Sequence, residues 1–378
     1  MIRLNRQFKF KKGILAFGAE LKSNFCIGTG SDIYISDDYG DLGIVEKAAA
    51  YQSSLDGAMK DVRFKPSAVA CDLHPAYASG KLAEEFCQRH LKGKAPVRIQ
   101  HHRAHVASAM IEGDIKGKVI GVAFDGTGYG TDGAIWGGEF FAGDIAHLDR
   151  IAHLDYIPMP GADMAVKEPW RMAASYLYHY FGKDFLDLDI KFVKDLDKKR
   201  WKVLRAMVER GVNSPVTSSA GRLFDAVSAI LGICTHARYE AEAAIELQKA
   251  ANRSYKGSYG YGIELDKSGD RYIVKWRPLL KGIIDDIKKT KTKEEISAKF
   301  HNTFAEMIVS VISILRKRSG YDKVVFSGGV FLNDLLVEKL KPLLKRKKLK
   351  PYFQSRELTG DSGICIGQAA ITNSLLSR

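Results

Sequence analysis

The chain has 378 residues, of which 46% are hydrophobic and 27% charged, and its formal net charge is +14. This length exceeds what one compact core usually holds, so we expect two lobes. The sequence has no apolar run of about 18 residues and no signal-peptide core, which excludes a membrane span and favours the cytoplasm. Much of the positive charge lies in 281–293 and 339–350 without interleaved aromatic residues, which makes nucleic acid an unlikely partner.

Strand and helix patterns alternate through the first part of the chain. Strands are predicted at 15–20, 24–28, 33–36, 68–72 and 96–100, and helices at 43–59, 82–91 and 104–112. A group of histidines follows the strand at 96–100 and extends into the start of the helix at 104–112.

The second part continues the same rhythm. It predicts a buried strand at 119–124, a β-rich stretch at 133–143, a helical middle at 168–246, a helix at 293–318 and a strand at 323–326. We therefore expect an α/β protein with mainly parallel sheets. A division near residue 150 gives an N-terminal lobe of residues 1–150 and a C-terminal lobe of residues 151–378.

The clearest metal signal is the histidine cluster at residues 101–105. On a helix, His101 and His105 lie one turn apart on one face, which is the spacing of two ligands to one metal ion. A hydrogen-bonded histidine cluster without metal explains the spacing equally well. The five cysteines form no CxxC pair, which argues against a thiolate zinc site or a disulfide framework.

A glycine-rich motif, Asp125-Gly126-Thr127-Gly128, follows the strand at 119–124. An aspartate there lies at the carboxyl edge of a sheet, where ligands bind in open α/β folds. The glycines leave backbone N–H groups free to meet phosphate oxygens, although a tight turn without a ligand is the alternative.

Two further glycine turns lie near the C-terminus. Gly328 and Gly329 follow a predicted strand and allow a ligand to approach the backbone closely. Asp361 lies in the second turn, where it is either a helix N-cap or a ligand. Together with Asp125 and the histidines, these turns favour a joint nucleotide and metal site.

Two polar stretches, 160–171 and 217–225, lie at predicted helix starts. The first contains Lys167 and Arg171, and the second contains Asp225. Both stretches fit either a helix cap or an anion site, and the cap is the favoured interpretation.

Seven segments, in this order, resemble the C-terminal part of HypF-type carbamoyltransferases. They are LAFGAELKSNFCI, ACDLHPAYAS, QHHRAHVASAM, GVAFDGTGYGTDGAIWGGEF, PGADMAVKEPWRMA, TSSAGRLFDAVSAILGI and SGGVFLN. The resemblance spans about residues 15–367. The tRNA threonylcarbamoyl-transfer enzymes and the antibiotic O-carbamoyltransferases are similar in a wider sense.

The resemblance implies an actin-like ATPase fold, in which ATP or carbamoyl-adenylate lies in a cleft between two lobes. It implies an iron or zinc ion bound by His101, His105, Asp125 and Asp361. The residues expected at the nucleotide, with Asp225 at the ribose, are Gly126, Thr127, Gly128, Asp225, Gly328, Gly329 and Asn333. Lys167 and Arg171 are expected to hold the anionic or carbonyl part of the substrate as catalytic residues.

The resemblance also implies an acceptor and a supplier. Carbamoyl transfer would go to the C-terminal cysteine of a HypE-like protein in [NiFe]-hydrogenase maturation. HypF proteins carry further domains ahead of this part, one of them a YrdC-like domain that makes the adenylate. Because this chain begins at the transfer domain, a separate YrdC-like protein is the expected source.

The sequence departs from the family pattern at several places. Ala162 replaces a glycine of the usual PGGD, residues 239–244 read YEAEAA where YEGQAA is usual, and residues 360–363 read GDSG where NDGG is usual. These departures keep two alternatives open: an O-carbamoyltransferase acting on a small-molecule hydroxyl, and a non-catalytic nucleotide-binding scaffold. Only the positive net charge supports a role in tRNA modification.

Overall fold

The computed structural model describes residues 1–377. The elements of the first part are β1 (Ile2–Ala16), β2 (Cys26–Ile35), α1 (Val45–Asp61), β3 (Ala68–Asp72), α2 (Ala78–His90), β4 (Val97–Ile99) and α3 (His101–Glu112). The strands form one sheet in the order β2-β1-β3-β4. β1 and β2 are an antiparallel hairpin, whereas β3 and β4 run parallel to β1.

β1 begins well before the predicted strand at 15–20. Leu4, Phe8 and Phe10 alternate with polar residues and pack toward the core of this sheet. Alternation with a period of two is the pattern of a half-buried strand. The sequence therefore contained the signal for this longer strand, and the prediction missed it.

The middle of the chain supplies β5 (Val119–Phe124), β6 (Gly138–Asp144), β7 (His147–Leu154), β8 (Ile157–Pro158), α4 (Asp163–Lys167), α5 (Pro169–Phe181), α6 (Lys191–Lys194), α7 (Lys198–Arg210), β9 (Val216–Thr217) and α8 (Ala220–Ile230). The predicted helical stretch 168–246 is thus broken into separate helices. Gly211 ends α7 in the left-handed conformation, and Ser219 caps α8. The predicted cap at 217–225 is therefore confirmed.

The last part contains α9 (Glu242–Ala250), β10 (Gly262–Leu265), β11 (Tyr272–Lys275), α10 (Arg277–Lys288), α11 (Lys293–Ser319), β12 (Lys323–Ser327), α12 (Asp334–Arg346), β13 (Lys350–Phe353) and α13 (Ile364–Leu376). Short 3-10 turns lie at Gly182–Asp187, Gly329–Leu332 and Asp361–Gly363. The larger sheet has the order β10-β11-β7-β6-β5-β12-β13, and β8 and β9 form a separate pair.

Both large sheets are mixed, which corrects the prediction of mainly parallel sheets. β5, β12 and β13 are parallel neighbours, but β6 is antiparallel to both of its neighbours, β5 and β7. Only Ile145 and Ala146 lie between β6 and β7. A connection this short can join only antiparallel strands, because a parallel pair needs a long crossover.

The two sheets do not divide the chain at residue 150. Residue 150 lies inside β7, and the chain changes sheets earlier, between Ile99 and Val119. α13 returns to the first sheet, where Ile364 and Ile371 share its apolar core. The apolar core on the N-terminal sheet therefore includes residues of the C-terminal helix. The prediction of two consecutive lobes assigned that helix to the other lobe.

Candidate metal centre

The four predicted metal ligands come from three separate parts of the chain. His101 and His105 lie in the first turns of α3, one turn apart on the same face. Asp125 follows β5 directly, and Asp361 lies in the turn that precedes α13. One side-chain ligand atom from each of the four lies within 4.8 Å of the others.

The shortest distance in this cluster is 3.1 Å, between Nε2 of His105 and Oδ2 of Asp125. Nε2 of His101 lies 3.6 Å from Oδ2 of Asp125 and 3.6 Å from Oδ1 of Asp361. The histidine side chains are almost fully buried, whereas those of Asp125 and Asp361 are 16% and 27% exposed. The cluster is therefore closed on the histidine side and accessible on the carboxylate side.

The other ring nitrogen of each histidine is bound to a neighbouring side chain. Nδ1 of His101 lies 2.9 Å from Oδ2 of Asp72, and Nδ1 of His105 lies 3.0 Å from Oγ of Ser327. Ser327 donates its hydroxyl proton to Gln354, so it accepts from His105. Both Nδ1 atoms are thus donors, and both Nε2 lone pairs point to the cluster, as in carboxylate–histidine–metal arrangements.

The charges of the cluster favour a cation. Burial opposes a charged His101, yet the nearby carboxylates of Asp125 and Asp361 raise the pKa of His101 well above its ordinary value. Burial likewise opposes a charged Asp125, but the adjacent imidazoles of both histidines hold the pKa of Asp125 well below its ordinary value. A positive charge between these groups is therefore stabilised.

The residues fit a bound metal ion. Nε2 of His101 is buried and has no hydrogen-bond partner among the described residues. An uncompensated buried nitrogen is costly unless a ligand satisfies it. Two imidazole nitrogens and two carboxylate oxygens form a donor set that suits zinc or iron.

The glycine motif after Asp125 lies against the start of α8. The backbone N–H of Gly126 donates to Oδ1 of Asp125 at 2.7 Å, and Oγ of Ser219 lies 2.7 Å from the carbonyl oxygen of Gly126. Thr127 is exposed, and Gly128 is packed against the ring of His102. The N-terminus of α8 therefore lies next to the metal cluster, where it favours anions.

The turn after β12 lies beside the same cluster. Gly328 has a φ of +104°, and a Cβ atom there would lie 2.2 Å from the carbonyl oxygen of Phe124, so only glycine fits. A Cβ on Gly329 would lie 3.1 Å from Oδ1 of Asp125. The structure thus brings both glycine turns together, as the sequence predicts for a shared site.

Asn333 and Asp225 are already engaged within the protein. Oδ1 of Asn333 caps α12 by accepting from the N–H of Leu336 at 2.9 Å, and its Nδ2 lies 3.0 Å from Nε2 of His301. Asp225 is buried 2.7 Å from Nε of Arg222, and burial raises its pKa despite this ion pair. Their contacts with a nucleotide remain predictions.

Lys167 and Arg171 lie on either side of the junction between α4 and α5. The Lys167 side chain is exposed. Arg171 forms an ion pair with Glu168, which also accepts from Arg200 at 2.8 Å. The structure therefore explains how Arg171 is oriented, and a substrate contact for Arg171 or Lys167 remains a prediction.

The sequence prediction did not single out the residues that support the ligands. Asp72 ends β3 at the same kind of strand end that pointed to Asp125, so the same rule could have identified it.

Glu139 and Arg150 form a buried ion pair, and Glu139 also accepts from the N–H groups of Gly137 and Gly138 at 3.0 Å. This pairing joins β6 to β7 and has no local sequence signal.

Comparison with family models places both parts of the chain in the class of Kae1-like domains. Residues 9–112 match the HypF Kae1-like domain, and residues 121–368 match the carbamoyltransferase Kae1-like domain, second subdomain. The chain belongs to the HypF carbamoyltransferase family. The two matches meet where the chain passes from one sheet to the other.

Individual relatives agree with this assignment. The probable carbamoyltransferase HypF of Methanocaldococcus jannaschii is 32% identical over 94% of this chain and 46% of its own length. The carbamoyltransferase HypF of Synechocystis is 32% identical over 95% and 47%. The chain thus spans about half the length of these relatives. It covers 90% of the carbamoyltransferase HypF homolog of Cupriavidus necator, also at 32% identity.

Solved structures confirm the predicted fold class. A full-length HypF in a phosphate- and nucleotide-bound form matches with a TM-score of 0.90 and 35% identity, over all of this chain and 57% of that one. The crystal structure of T. kodakarensis HypF matches with a TM-score of 0.87 and 28% identity, over all of this chain and 49% of that one. Within residues 1–377, no helix combines the length and apolar character that a membrane crossing requires.

Proposed function

We propose that this chain transfers the carbamoyl group of carbamoyl-adenylate to the C-terminal cysteine of a HypE-like protein in [NiFe]-hydrogenase maturation, at a centre that holds iron or zinc. The observation that carries this proposal is the convergence of His101, His105, Asp125 and Asp361 beside two glycine turns. Membership of the HypF family supports carbamoyl transfer as the reaction.

The reaction needs no redox step. The acceptor sulfur attacks the carbamoyl carbon, a C–S bond forms, and the bond from that carbon to the phosphate oxygen breaks. AMP leaves with the electron pair of the broken bond, and the thiol proton passes to solvent. A bound zinc or iron ion supplies a Lewis acid that stabilises charge on the carbamoyl oxygen.

The residues of the chain position the two ends of the adenylate. The N-terminus of α8 and the turn 126–128 lie beside Asp125, so they suit the phosphate. Arg171, held by Glu168, suits the carbamoyl carbonyl or an anionic group, with Lys167 near the same junction. Asp225 and Asn333 suit the ribose and base side of the cleft.

This proposal requires two partners. A YrdC-like protein supplies the carbamoyl-adenylate from ATP, and a HypE-like protein presents its C-terminal thiol. The accessible carboxylate side of the cluster, with Asp125 and Asp361 partly exposed, is where a flexible C-terminal peptide would reach the carbamoyl group.

A transfer assay tests the proposal. Metal-loaded protein is incubated with ATP, carbamoyl phosphate, a YrdC-like protein and a HypE-like acceptor, and the acceptor's C-terminal peptide is examined by mass spectrometry. We expect one added carbamoyl group on the cysteine, and none with a Cys→Ser acceptor or with the double variant His101→Ala, His105→Ala.

The same assay separates the alternatives. Carbamoylation of an added small-molecule alcohol, with an unmodified thiol, would replace the thiol acceptor by a hydroxyl. Tight nucleotide binding without any transfer would favour a scaffold. The motivation for the first alternative is local, since the YEAEAA segment changes the family pattern at Ala241 and Glu242, where Glu242 now pairs with Arg238.

A further inference from the structure

A cavity of about 460 Å³ lies between α5, α6, α8 and the start of α11. Its apolar wall is formed by Trp170, Phe192, Ile230, Leu231, Ile287 and Ile296. A volume between about 300 and 1,000 Å³ with mostly apolar walls is the usual form of a small-molecule site.

The rim of this cavity carries four cationic side chains, those of Lys191, Arg200, Lys291 and Lys293. The first three form ion pairs with the carboxylates of Asp195, Glu168 and Glu295, respectively. Asp197 is occupied by the backbone N–H groups at the start of α7, at 2.8 and 3.0 Å. Nζ of Lys293 donates to the neutral carbonyl oxygen of Gly232 at 3.0 Å, so its charge is available to an anion.

The indole of Trp170 adds a second polar feature. Its Nε1 atom is buried and has no acceptor among the described residues. The guanidinium of Arg200 lies over the ring, 4.6 Å from its centroid, and that of Arg171 lies 5.4 Å from the same centroid. The ring is therefore already in contact with cations, and its buried N–H is a donor that a ligand acceptor can satisfy.

The cavity is separate from the metal centre. Ala229, Ile230 and Leu231 lie at the C-terminal end of α8, whereas Ser219 at its N-terminus contacts Asp125. At a rise of about 1.5 Å per residue, the 11 residues of α8 separate the two places by about 16 Å. None of the predicted metal or nucleotide residues lines the cavity.

We propose that this cavity is a binding site for a small, largely apolar anion, with its apolar part against Phe192, Ile230 and Ile296 and its acidic group at Lys293, next to Arg200. The site lies outside the metal cluster. The chemical class follows from the apolar wall and the cationic rim together.

Two fluorescent probes of the same shape test this class. 8-Anilinonaphthalene-1-sulfonate carries a sulfonate, and N-phenyl-1-naphthylamine has the same ring system without the charge. With the full chain, we expect saturable binding of the sulfonate at one site per chain, at least fivefold tighter than that of the neutral probe. Non-saturable binding, or equal affinity for both probes, would overturn the proposal.

Variants at the cavity locate the site. Thr235→Trp places a ring at the exposed edge of the cavity and should weaken binding of both probes at least tenfold. The pair Arg200→Gln, Lys293→Gln should weaken the sulfonate several-fold and leave the neutral probe unchanged. Lys345→Gln, an exposed lysine on α12 outside the cavity, is the matched control and should change neither affinity.

Hydrogen exchange on the unaltered protein avoids any question of variant folding. The sulfonate probe should slow exchange at residues 191–200, 229–236 and 287–296, which form the cavity. Protection confined to the glycine turns near Asp125, with no change at the cavity, would show that the probe binds elsewhere and would overturn the proposed site.

Discussion

Each histidine of the proposed metal centre directs one ring nitrogen to the ligand cluster and the other to a neighbouring side chain. For His101 that neighbour is Asp72, which also accepts from the N–H of His74 through its other oxygen at 2.9 Å. The carboxylate accepts from Nδ1–H and so fixes the tautomer in which Nε2 is free to bind metal.

Asp72→Asn should therefore weaken metal binding. The new amide can donate to Nδ1, which forces the proton onto Nε2 and blocks the ligand position. We expect a loss of about 10- to 100-fold in zinc affinity, measured by competition with a chelating dye. Asp56→Asn, on the exposed face of α1, is the control, and equal affinities for both variants would contradict the role of Asp72.

Two alanines adopt backbone conformations that favour glycine. Ala162 has a φ of +47° and Ala241 a φ of +61°, and both stand where the family pattern has glycine. An L-residue with positive φ carries a cost of about 1–2 kcal/mol that glycine does not.

Ala162→Gly and Ala241→Gly should each raise the free energy of unfolding, by about 1 kcal/mol, because the strain at positive φ is removed. Urea denaturation measures the change. Ala49→Gly, at an exposed helical position of α1, is the matched control and should lower stability by about 1 kcal/mol. A loss of stability in all three variants would show that the two alanines are not strained.

The buried imidazole of His301, next to Asn333, makes the free energy of unfolding depend on pH. The ring is buried, donates from Nδ1 to the carbonyl oxygen of Ser297 at 2.8 Å, and burial lowers its pKa to about 4. The unfolded chain has the ordinary pKa of about 6.5, so it binds a proton first as the pH falls. The stabilisation is complete above pH 6.5 and is lost between about 6.5 and 4.

His301→Gln should flatten this part of the stability profile, because the amide keeps a donor and an acceptor but does not titrate. In the native protein the contribution amounts to about 2–3 kcal/mol between these pH values. Urea unfolding at a series of pH values between 4 and 7 measures both proteins. Parallel profiles would mean that His301 is not the group responsible.

At the scale of the elements, α13 packs both on the segment that follows β1 and on α3, which carries the two histidines of the proposed metal centre. Gln368 donates to the carbonyl oxygen of Gly18 at 3.0 Å and accepts from its N–H at 2.9 Å. A Cβ on Gly367 would lie 1.9 Å from the carbonyl oxygen of Ala104 on α3. The helix that follows Asp361 is thus packed directly on the helix that carries the histidines.

Gly367→Ala should separate α3 from α13. We expect a loss of about 3 kcal/mol or more in the free energy of unfolding and a weaker metal affinity, because Asp361 moves away from the histidines. Gly57→Ala, on α1 with open space around it, is the control and should be neutral or stabilising. Unchanged metal affinity in a folded Gly367→Ala protein would contradict this coupling.

Local patterns were sufficient for several elements. The buried strand at 119–124 follows from its apolar run, and the structure contains it. The helix predicted at 104–112 is also present, but it begins earlier, at His101. β7 and α10 were not predicted, and α13 could not be assigned to the first sheet, because pairing across the chain depends on tertiary contacts rather than on local propensity.

The candidate site shows the same limit. The spacing of residues 101 and 105 and the strand-end position of Asp125 pointed to ligands, whereas Asp361 depended on the family resemblance, since a lone aspartate in a glycine turn is usually a cap. Ser327 and Asp72 act through hydrogen bonds to residues far away in sequence. Asp72 has the strand-end position that pointed to Asp125, but no local pattern marks Ser327 as such a partner.

At the scale of the whole molecule, the proposed metal centre depends on both sheets. α3 belongs with the first sheet, Asp125 ends a strand of the second, and Asp361 precedes the helix that returns to the first. The cluster forms only when all three parts are in place. Metal binding is therefore expected to stabilise the fold as a unit, since an ion that binds only the native state raises stability.

The most direct test of the central claim is the metal content of the protein, measured by elemental analysis after reconstitution with iron or zinc and removal of free metal. The account predicts one ion per chain, retained in the control His90→Ala and lost in the double variant His101→Ala, His105→Ala. A native protein that binds no ion after reconstitution, or a double variant that binds as much as the native protein, would contradict it.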